Sequence, residues 1–287
     1  METESFTFEM TNKEFFFLTQ MLGLSKIAGY SDPYKGYLME ELEGEYSEIQ
    51  AELVNKGWLK MKQGQENKEN QENHEKQEKK ANYTDMNEAL ALCLAITGSS
   101  QVVQLSKQVV DGEDYTGFLY FHPKLVVEVI YGESGEVQIT PVADPLGTMD
   151  ALRGFFPLTL RSNRTFKQTL TECNWAHWKG LGKEKQLALL QSQGGSNLDH
   201  TEAERVVQAF AERERIGSMI FWNARGEAWE HEGYHYVQHG EELYLARETK
   251  LDVDTETKME LAAYNPDLIW DRLVKFAAQF DLVVEGA

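Results

Sequence analysis

The chain has 287 residues, which suits one large domain or two ordinary ones, and its 41% of hydrophobic residues is enough to fill a sizeable core. Asp and Glu outnumber Lys and Arg by 47 to 28, which gives a formal net charge of -19. Because this charge repels phosphate groups, nucleic acids and anionic membrane surfaces are excluded as expected partners.

The cysteines and the start of the chain indicate a cellular compartment. Cys93 and Cys173 each lie in a segment of helical pattern, without a second sulfur or a histidine at metal-ligand spacing. We interpret both as reduced core thiols. Residues 1–10 carry three glutamates and no cationic start before an apolar run, and no apolar stretch approaches the roughly 18 residues of a membrane span. We therefore expect a cytoplasmic protein.

The N-terminal segment, residues 1–61, is predicted to be helical. Thr11 and Glu14 have the spacing of a capping box, and apolar residues then recur at helical intervals as far as Gly23. A second helix is predicted from Met39 to Asn55, and the sequence LVNKGWL that begins at Leu53 predicts its end and a short strand. This segment is winged-helix-like, so a DNA-binding regulator is one alternative function. The six glutamates and the absence of Lys and Arg between Met39 and Asn55 oppose it.

Residues 62–81 differ from the rest of the chain in composition. They are almost entirely Gln, Glu, Asn and Lys, with no aliphatic side chain to anchor them to a core. We predict a disordered polar surface loop, bounded as residues 62–84 in the domain division. A tethered interaction tail is the alternative.

A first α/β unit is predicted over residues 85–160. A buried helix begins near Met86, and β-branched and aromatic residues separated by Gly and Pro then predict four strands. These strands cover residues 102–110, 117–122, 125–131 and 137–142. Asp144 and Pro145 open a closing helix, since proline suits the first turn.

A second unit is predicted over residues 201–287, after a helical connection over residues 161–200 with helices near 164–178 and 183–193. Thr201 and Glu204 have the spacing of a second capping box. Four strands are predicted at residues 216–223, 227–237, 241–248 and 257–264, before a last helix from Pro266 to Phe280.

An internal repeat is indicated by the ends of the two units. The sequences DPLGTMDALRGF, from Asp144, and NPDLIWDRLVKF, from Asn265, share the frame P-x-x-x-x-D-x-L-x-x-F at one constant offset. The predicted fold is therefore α+β, with two quasi-equivalent units that are each a four-stranded antiparallel meander flanked by helices, preceded by the winged-helix-like segment.

One string of residues suggests a metal site. His231, Glu232 and His235 satisfy the pattern H-E-x-x-H, and His239 follows four residues later. On a helix this pattern binds zinc and supplies a general base, so a zinc-dependent hydrolase is an alternative function. Gly233 and the neighbouring aromatic residues favour a strand, on which the two histidines would be roughly 13 Å apart and could not share one ion.

Other chemistry has no recognisable candidate in the sequence. There is no nucleophile elbow and no phosphate-binding loop, and we interpret Asp150 and Asp271 as structural residues near helix starts. Large aromatic residues crowd the second unit, where alternation along strands sends neighbours to opposite faces of the sheet. We predict a protein that is not an enzyme and that binds a partner through these aromatic residues: Trp222, Trp229, Tyr234 and Tyr236.

This organisation resembles the EspG-like and EsaE-like chaperones, or adaptors, of type VII secretion. The resemblance covers most of the chain and depends on the opening TNKEFFFLTQMLG at Thr11, on LVNKGWL at Leu53 and on the order of the two units. It implies a cytosolic chaperone, without a cofactor, that binds a helical secreted protein or a toxin targeting domain and keeps it competent for export. The secretion ATPase is the second partner that it implies. The polar loop of residues 62–81 departs from the family pattern.

Overall fold

The computed structural model describes residues 6–61, 83–109, 114–157, 160–162, 164–194, 199–225, 228–250 and 258–280. The predicted polar loop of residues 62–81 lies outside these ranges. The strands are β1 (Phe8–Thr11), β2 (Leu59–Met61), β3 (Tyr83–Met86), β4 (Gln101–Val109), β5 (Tyr115–His122), β6 (Leu125–Tyr131), β7 (Glu136–Ala143), β8 (Lys167–Thr171), β9 (Arg215–Arg225), β10 (Ala228–His239), β11 (Glu242–Lys250) and β12 (Lys258–Ala263). The helices are α1 (Asn12–Met21), α2 (Met39–Asn55), α3 (Glu88–Thr97), α4 (Pro145–Phe155), α5 (Trp175–Gly180), α6 (Lys183–Gln193), α7 (His200–Ala211) and α8 (Pro266–Ala277).

Ten of these strands form one antiparallel sheet, so the predicted α+β class is confirmed. The strand order is β1-β7-β6-β5-β4-β9-β10-β11-β12-β8, and β2 pairs with β3 separately. The strands from β4 to β7 and from β9 to β12 each pair in chain order, and β4 pairs with β9 across the middle. The N-terminal strand β1 therefore closes one edge of the sheet, and β8 closes the other.

The two faces of the sheet are covered differently. Alternation places Val102 and Trp222 on one face, called face A, and Val103 and Phe221 on the other, called face B. On face A, α1, α2 and α3 form one core with the strands from β4 to β7, and α5, α6 and α7 form a second core with the strands from β8 to β12. On face B, α4 and α8 form a third core that crosses both halves. Cys93 and Cys173 are free and buried within the two face A cores, as expected.

Several helix starts follow the predicted chemistry. Thr11 and Glu14 form the predicted capping box, in which each side chain accepts a hydrogen bond from the backbone N–H of the other residue. The Asp144 side chain caps α4 by accepting from the N–H of Gly147, with Pro145 in the first turn. Asn265 caps α8 by accepting from the N–H of Asp267, with Pro266 in the first turn. Local sequence therefore sets where these helices begin.

Two local predictions are wrong. The helix predicted near residues 164–178 is instead β8, Lys167–Thr171, followed by the short α5. Leu170 is fully buried beside Met259 of β12, and this tertiary pairing outweighs the weak local pattern. The capping box predicted for Thr201 and Glu204 does not form. The helix α7 begins at His200, one residue before Thr201, and Asp199 caps it by accepting from the N–H of Thr201.

Candidate functional site

A groove crosses face A at the centre of the sheet, where β4 lies beside β9. The register places Ser106 beside Ser218 and Gln104 beside Ile220, so polar and aliphatic side chains alternate on the floor. Trp175 of α5 lines the side towards the second half of the sheet, and the cavity volume is about 350 Å³. The remaining lining residues are mostly polar and add amide, hydroxyl, imidazole and charged groups beside one further aliphatic side chain: Gln108, Asp114, Thr116, Glu133, Lys179, His235 and Ile216.

The groove exists because the helices of face A form two separate layers. In the first half of the sheet α3 packs on β5, β6 and β7, and in the second half α7 packs on β10 and β11. Since β4 and β9 are the two middle strands, the layers lie on either side of them. The same two strands are covered on face B by the core of α4 and α8.

The H-E-x-x-H string lies on β10, as the strand prediction required, and the pleat divides it between the two faces. His231 and His235 point to face A, where each lies 3.5 Å from the Glu248 carboxylate. Glu232 points to face B, where it accepts hydrogen bonds from Arg247 and Arg272. The carboxylate of the string therefore lies on the opposite side of the sheet from both of its histidines.

His235 is a buried, neutral imidazole at the groove floor. Its side chain has no exposed surface, and its ring stacks on Trp175 with the centroids 4.4 Å apart. Nδ1 shares a hydrogen bond of 2.7 Å with Oγ of Ser218, which lies opposite it on β9. Burial lowers the pKa of His235 by more than the Glu248 carboxylate raises it, so the ring is uncharged at neutral pH.

Glu248 lies between the two histidines because it is paired across the strands with Gly233. Its Oε2 accepts a hydrogen bond of 2.7 Å from the backbone N–H of Trp175 at the start of α5. Burial alone would raise the pKa of Glu248, but the close contacts with the His231 and His235 rings and the hydrogen bond from this N–H outweigh it, and the pKa lies well below its usual range. A Cβ at Gly233 would lie 2.8 Å from His235 Nε2 and 3.0 Å from Glu248 Cγ, so glycine leaves the room for this contact.

Glu232 has a different environment on face B. Its Oε1 accepts from Nε of Arg247 at 2.9 Å and from the hydroxyl of Tyr234 at 2.9 Å, while its Oε2 accepts from Nε of Arg272 at 2.8 Å. Burial raises the pKa of Glu232, but these bonds and the two positive charges outweigh that effect and lower it. The Arg272 guanidinium also lies over the ring of Phe221, 4.2 Å from its centroid.

This arrangement does not favour the zinc hydrolase. A zinc site of this type needs the two histidines on one metal with the glutamate beside it, whereas Glu232 is held by arginines on the other face. Within the residues that the structure describes, no group of three or more His, Cys, Asp or Glu side chains could hold a metal ion.

The hydrogen-bonded pair of Ser218 and His235 is a poor nucleophile and base. Acyl transfer needs free donors beside the nucleophile to stabilise an oxyanion. Ser218 lies inside β9, where it is paired with Ser106 on one side and with His235 on the other. Backbone N–H groups at such a position bond to neighbouring strands, so the geometry suits a polar floor better than a catalytic centre.

The four residues predicted to bind a partner do not share one surface. Trp222 and Trp229 are on face A and partly exposed, with ring centroids 6.5 Å apart in an edge-to-face arrangement. Trp222 donates from Nε1 to Oε1 of Gln104 on the groove floor, at 3.1 Å. Tyr234 and Tyr236 are on face B and are each 3% exposed, because α4 and α8 cover them. The two tryptophans are therefore partly exposed and the two tyrosines are buried, and the binding of a partner through these residues stays a prediction.

Sequence reasoning missed the residues that complete the groove. Ser106 and Ser218 have no distinctive sequence context, and Glu248 meets the two histidines only through the register of β10 and β11. Trp175 had a weak signal, since a tryptophan in a mostly polar segment indicates a packed position.

The helices of the described ranges do not include a membrane span. None of the helices there is both long enough and apolar enough to cross a bilayer.

No protein-family model and no curated protein matches this chain. Among solved structures, the chain is similar to the Mycobacterium tuberculosis type VII secretion system chaperone EspG5, solved in complex with a PE25–PPE41 dimer. The identity is 10%, the TM-score is 0.49, and the match covers 98% of each chain. Since the TM-score is below 0.5, we draw no conclusion from this likeness.

Proposed function

We propose that this protein is a chaperone or adaptor that binds a helical segment of a secreted protein in the central groove of face A. The observation that carries the proposal is the groove itself, which lies between two helical layers and has Trp222 beside its polar floor. An amphipathic helix that enters such a groove completes the helical layer over the sheet. The resemblance of the sequence to type VII secretion chaperones motivates the choice of a secreted partner.

The composition of the groove suits reversible binding. Its floor offers hydroxyl and amide groups, including Ser106, Gln104 and Thr116, beside the aliphatic Ile220. A mixed surface of this kind pairs with polar and apolar side chains of a partner without needing a permanent, fully apolar interface. Trp222 and Trp229 supply the aromatic anchors that dominate many binding surfaces.

The proposal also includes the cellular location, the mode of action and the second partner of the protein. We propose that the protein acts in the cytoplasm, that it acts by binding and not by catalysis, and that it delivers its partner to a secretion ATPase. We also propose that the two halves derive from a duplicated meander unit. In support, α4 and α8 both start with a capped proline turn and pack together on face B. The division of the chain into five segments and the winged-helix-like segment stay predictions.

The test is co-expression with the products of the neighbouring genes, followed by affinity capture of this chain. We expect a stoichiometric complex with a helical protein that is itself a secretion substrate. The variant Ser106→Tyr, which fills the groove floor, should reduce the captured amount at least tenfold, because the ring would occupy the space of the partner helix.

The control variant is Ser47→Tyr, which adds the same ring at an exposed position of α2 that is not among the groove-lining residues. It should capture as much partner as the unmodified chain. Failure to recover any helical secreted partner would overturn the proposed function, while equal capture by both variants would place the partner elsewhere on the protein.

A further inference from the structure

The two edges of the ten-stranded sheet are finished differently. On the β8 edge, the C=O of Phe166 accepts a hydrogen bond from the N–H of Ala263 on the neighbouring strand β12. Because backbone groups alternate in direction along an antiparallel strand, those of residues 167, 169 and 171 point outward, away from β12. The side chain of Gln193 accepts from the N–H of Thr171 at 2.7 Å and donates to its C=O at 3.3 Å. Gln168 donates to the C=O of Thr169 at 3.1 Å. Side-chain amides therefore take the place of a further strand.

On the β1 edge, the same alternation leaves Glu9 facing outward. Asn12 bonds inward to the C=O of Gly135, so Met10 and Phe8 also bond inward and Thr11 and Glu9 do not. The N–H of Thr11 is taken by the Glu14 side chain of the capping box. Among the described residues, the N–H and C=O of Glu9 have no such partner, so this edge can accept another strand.

The side chains beside this edge define what could bind there. On the side of face A, Phe8 is partly exposed and Phe6 is 49% exposed, with their rings 5.3 Å apart. On the other side, the exposed Glu9 makes no ion pair with a residue of the described ranges, and Glu136, opposite Thr11 on β7, is also exposed. One side is therefore apolar and the other is acidic.

We propose that the β1 edge binds an extended segment of a partner in which apolar and basic residues alternate. Such a segment would add a strand beside β1, with its apolar side chains over Phe6 and Phe8 and a Lys or Arg opposite Glu9. The charge of Glu9 also decides against other occupants. An acidic strand, or β1 of a second copy with its own Glu9, would bring like charges together. The edge is thus selective for a basic strand.

The test uses a fluorescein-labelled eight-residue peptide of alternating valine and lysine, titrated with the full chain and followed by fluorescence anisotropy. The matched probe replaces every lysine with glutamate. We expect saturable binding of the lysine peptide and at least tenfold weaker binding of the glutamate peptide. The variant Glu9→Lys should reverse this preference.

A second variant separates strand addition from simple charge attraction. Glu9→Pro removes an outward N–H but no bond of the β1–β7 ladder, and edge strands tolerate proline at such positions. Glu9→Gln keeps the N–H and removes the charge. If a strand is added, the proline variant should bind the lysine peptide more weakly than the glutamine variant. Near-ultraviolet circular dichroism of each variant checks that the fold is retained.

Three results would overturn the proposal. One is equal affinity for the lysine and glutamate peptides, and another is an unchanged affinity in Glu9→Pro. The third is concentration-dependent dimerisation in analytical ultracentrifugation that Glu9→Pro abolishes, since that would make a second copy the occupant. The variant Gln193→Ala, which uncaps the opposite edge, should leave lysine-peptide binding unchanged.

Discussion

Glu232 and Glu248 are two carboxylates on neighbouring strands of the same sheet, and they are stabilised in opposite ways. Glu232 on face B is paired with two guanidinium groups, which are charged at every accessible pH. Glu248 on face A accepts a hydrogen bond from one backbone N–H and lies 3.5 Å from two imidazoles, of which that of His235 is held neutral by burial. One site is a network of fixed charges, and the other depends on the protonation of its partners.

The difference shows that the same short motif has a different geometry on a strand than on a helix. The residues of H-E-x-x-H are contiguous in sequence, yet the pleat directs the glutamate to Arg247 of β11 and Arg272 of α8 on face B, and both histidines to face A, where His235 lines the groove. The acid that the histidines meet comes from β11 instead. Face B is thereby fixed by charge pairs, while the groove side keeps a floor that is polar and nearly uncharged.

The largest expected effect is at Glu232. The variant Glu232→Ala removes one carboxylate partner of Arg247 and leaves the largely buried Arg272 without the carboxylate that pairs with it, and we expect a loss of about 3 kcal/mol in the free energy of unfolding. Urea denaturation measures it. The control is Asp150→Ala, which removes an exposed carboxylate paired with Arg153 and should change little. An equally small change at Glu232 would show that face B does not depend on its charge pairs.

A smaller loss is expected at Glu248. The variant Glu248→Ala leaves the backbone N–H of Trp175 without an acceptor but strands no permanent charge, so we expect about 2 kcal/mol. The variant Glu248→Gln retains an acceptor oxygen and should lose less. If Glu248→Ala were more destabilising than Glu232→Ala, the neutral state of His235 in the folded protein would be contradicted.

Gly233 should tolerate no side chain. The variant Gly233→Ala places a methyl group against the His235 ring, which is itself held against Trp175, and we expect a loss of about 1.5 kcal/mol from overpacking. Gly44→Ala is the matched control, because this glycine is exposed in α2 with open space around it. The control should be slightly stabilising, since alanine is the better helix former. Thermal unfolding of the two variants compares them directly.

The smallest expected effect is a change in the free energy of unfolding with pH, caused by His235 on face A. A histidine whose pKa is lower in the folded state binds fewer protons when folded, so stability falls as the pH decreases below the ordinary value of about 6.5. If His235 stays neutral, about 0.7 kcal/mol should be lost between pH 7 and pH 6. His235→Gln should remove that loss, as measured by urea denaturation at each pH.

The carboxylates titrate in a separate range. The pKa values of Glu232 and Glu248 are lowered by folding, so their contributions are complete above the ordinary value of about 4.3 and are lost only as the pH falls through the folded values. Glu232→Gln should therefore retain the slope between pH 7 and pH 6. A slope that disappears in Glu232→Gln and persists in His235→Gln would reverse the assignment of the two faces.

What the sequence could predict was local. Gly233 and the aromatic residues around it indicated a strand for H-E-x-x-H, and the capping residues Thr11 and Asp144 marked helix starts. The strand Lys167–Thr171 was not predicted, because four of its five residues are polar and its strand character comes from pairing with β12. The groove could not be predicted, since its floor is made where β4 meets β9, more than a hundred residues later in the chain.

The junction between β4 and β9 can form only late during synthesis of the chain. Until the ribosome has produced β9, β4 is an edge strand of the growing sheet, and its face A residues Gln104, Ser106 and Gln108 have no neighbouring strand on that edge. Domains are completed from the N-terminus during translation, so the first half waits in this state for several seconds at ordinary elongation rates. The groove has no second wall and half a floor during that interval. The groove is therefore complete only after β9 has been synthesised, and until then the chain has an open strand edge at the place where the groove floor later forms.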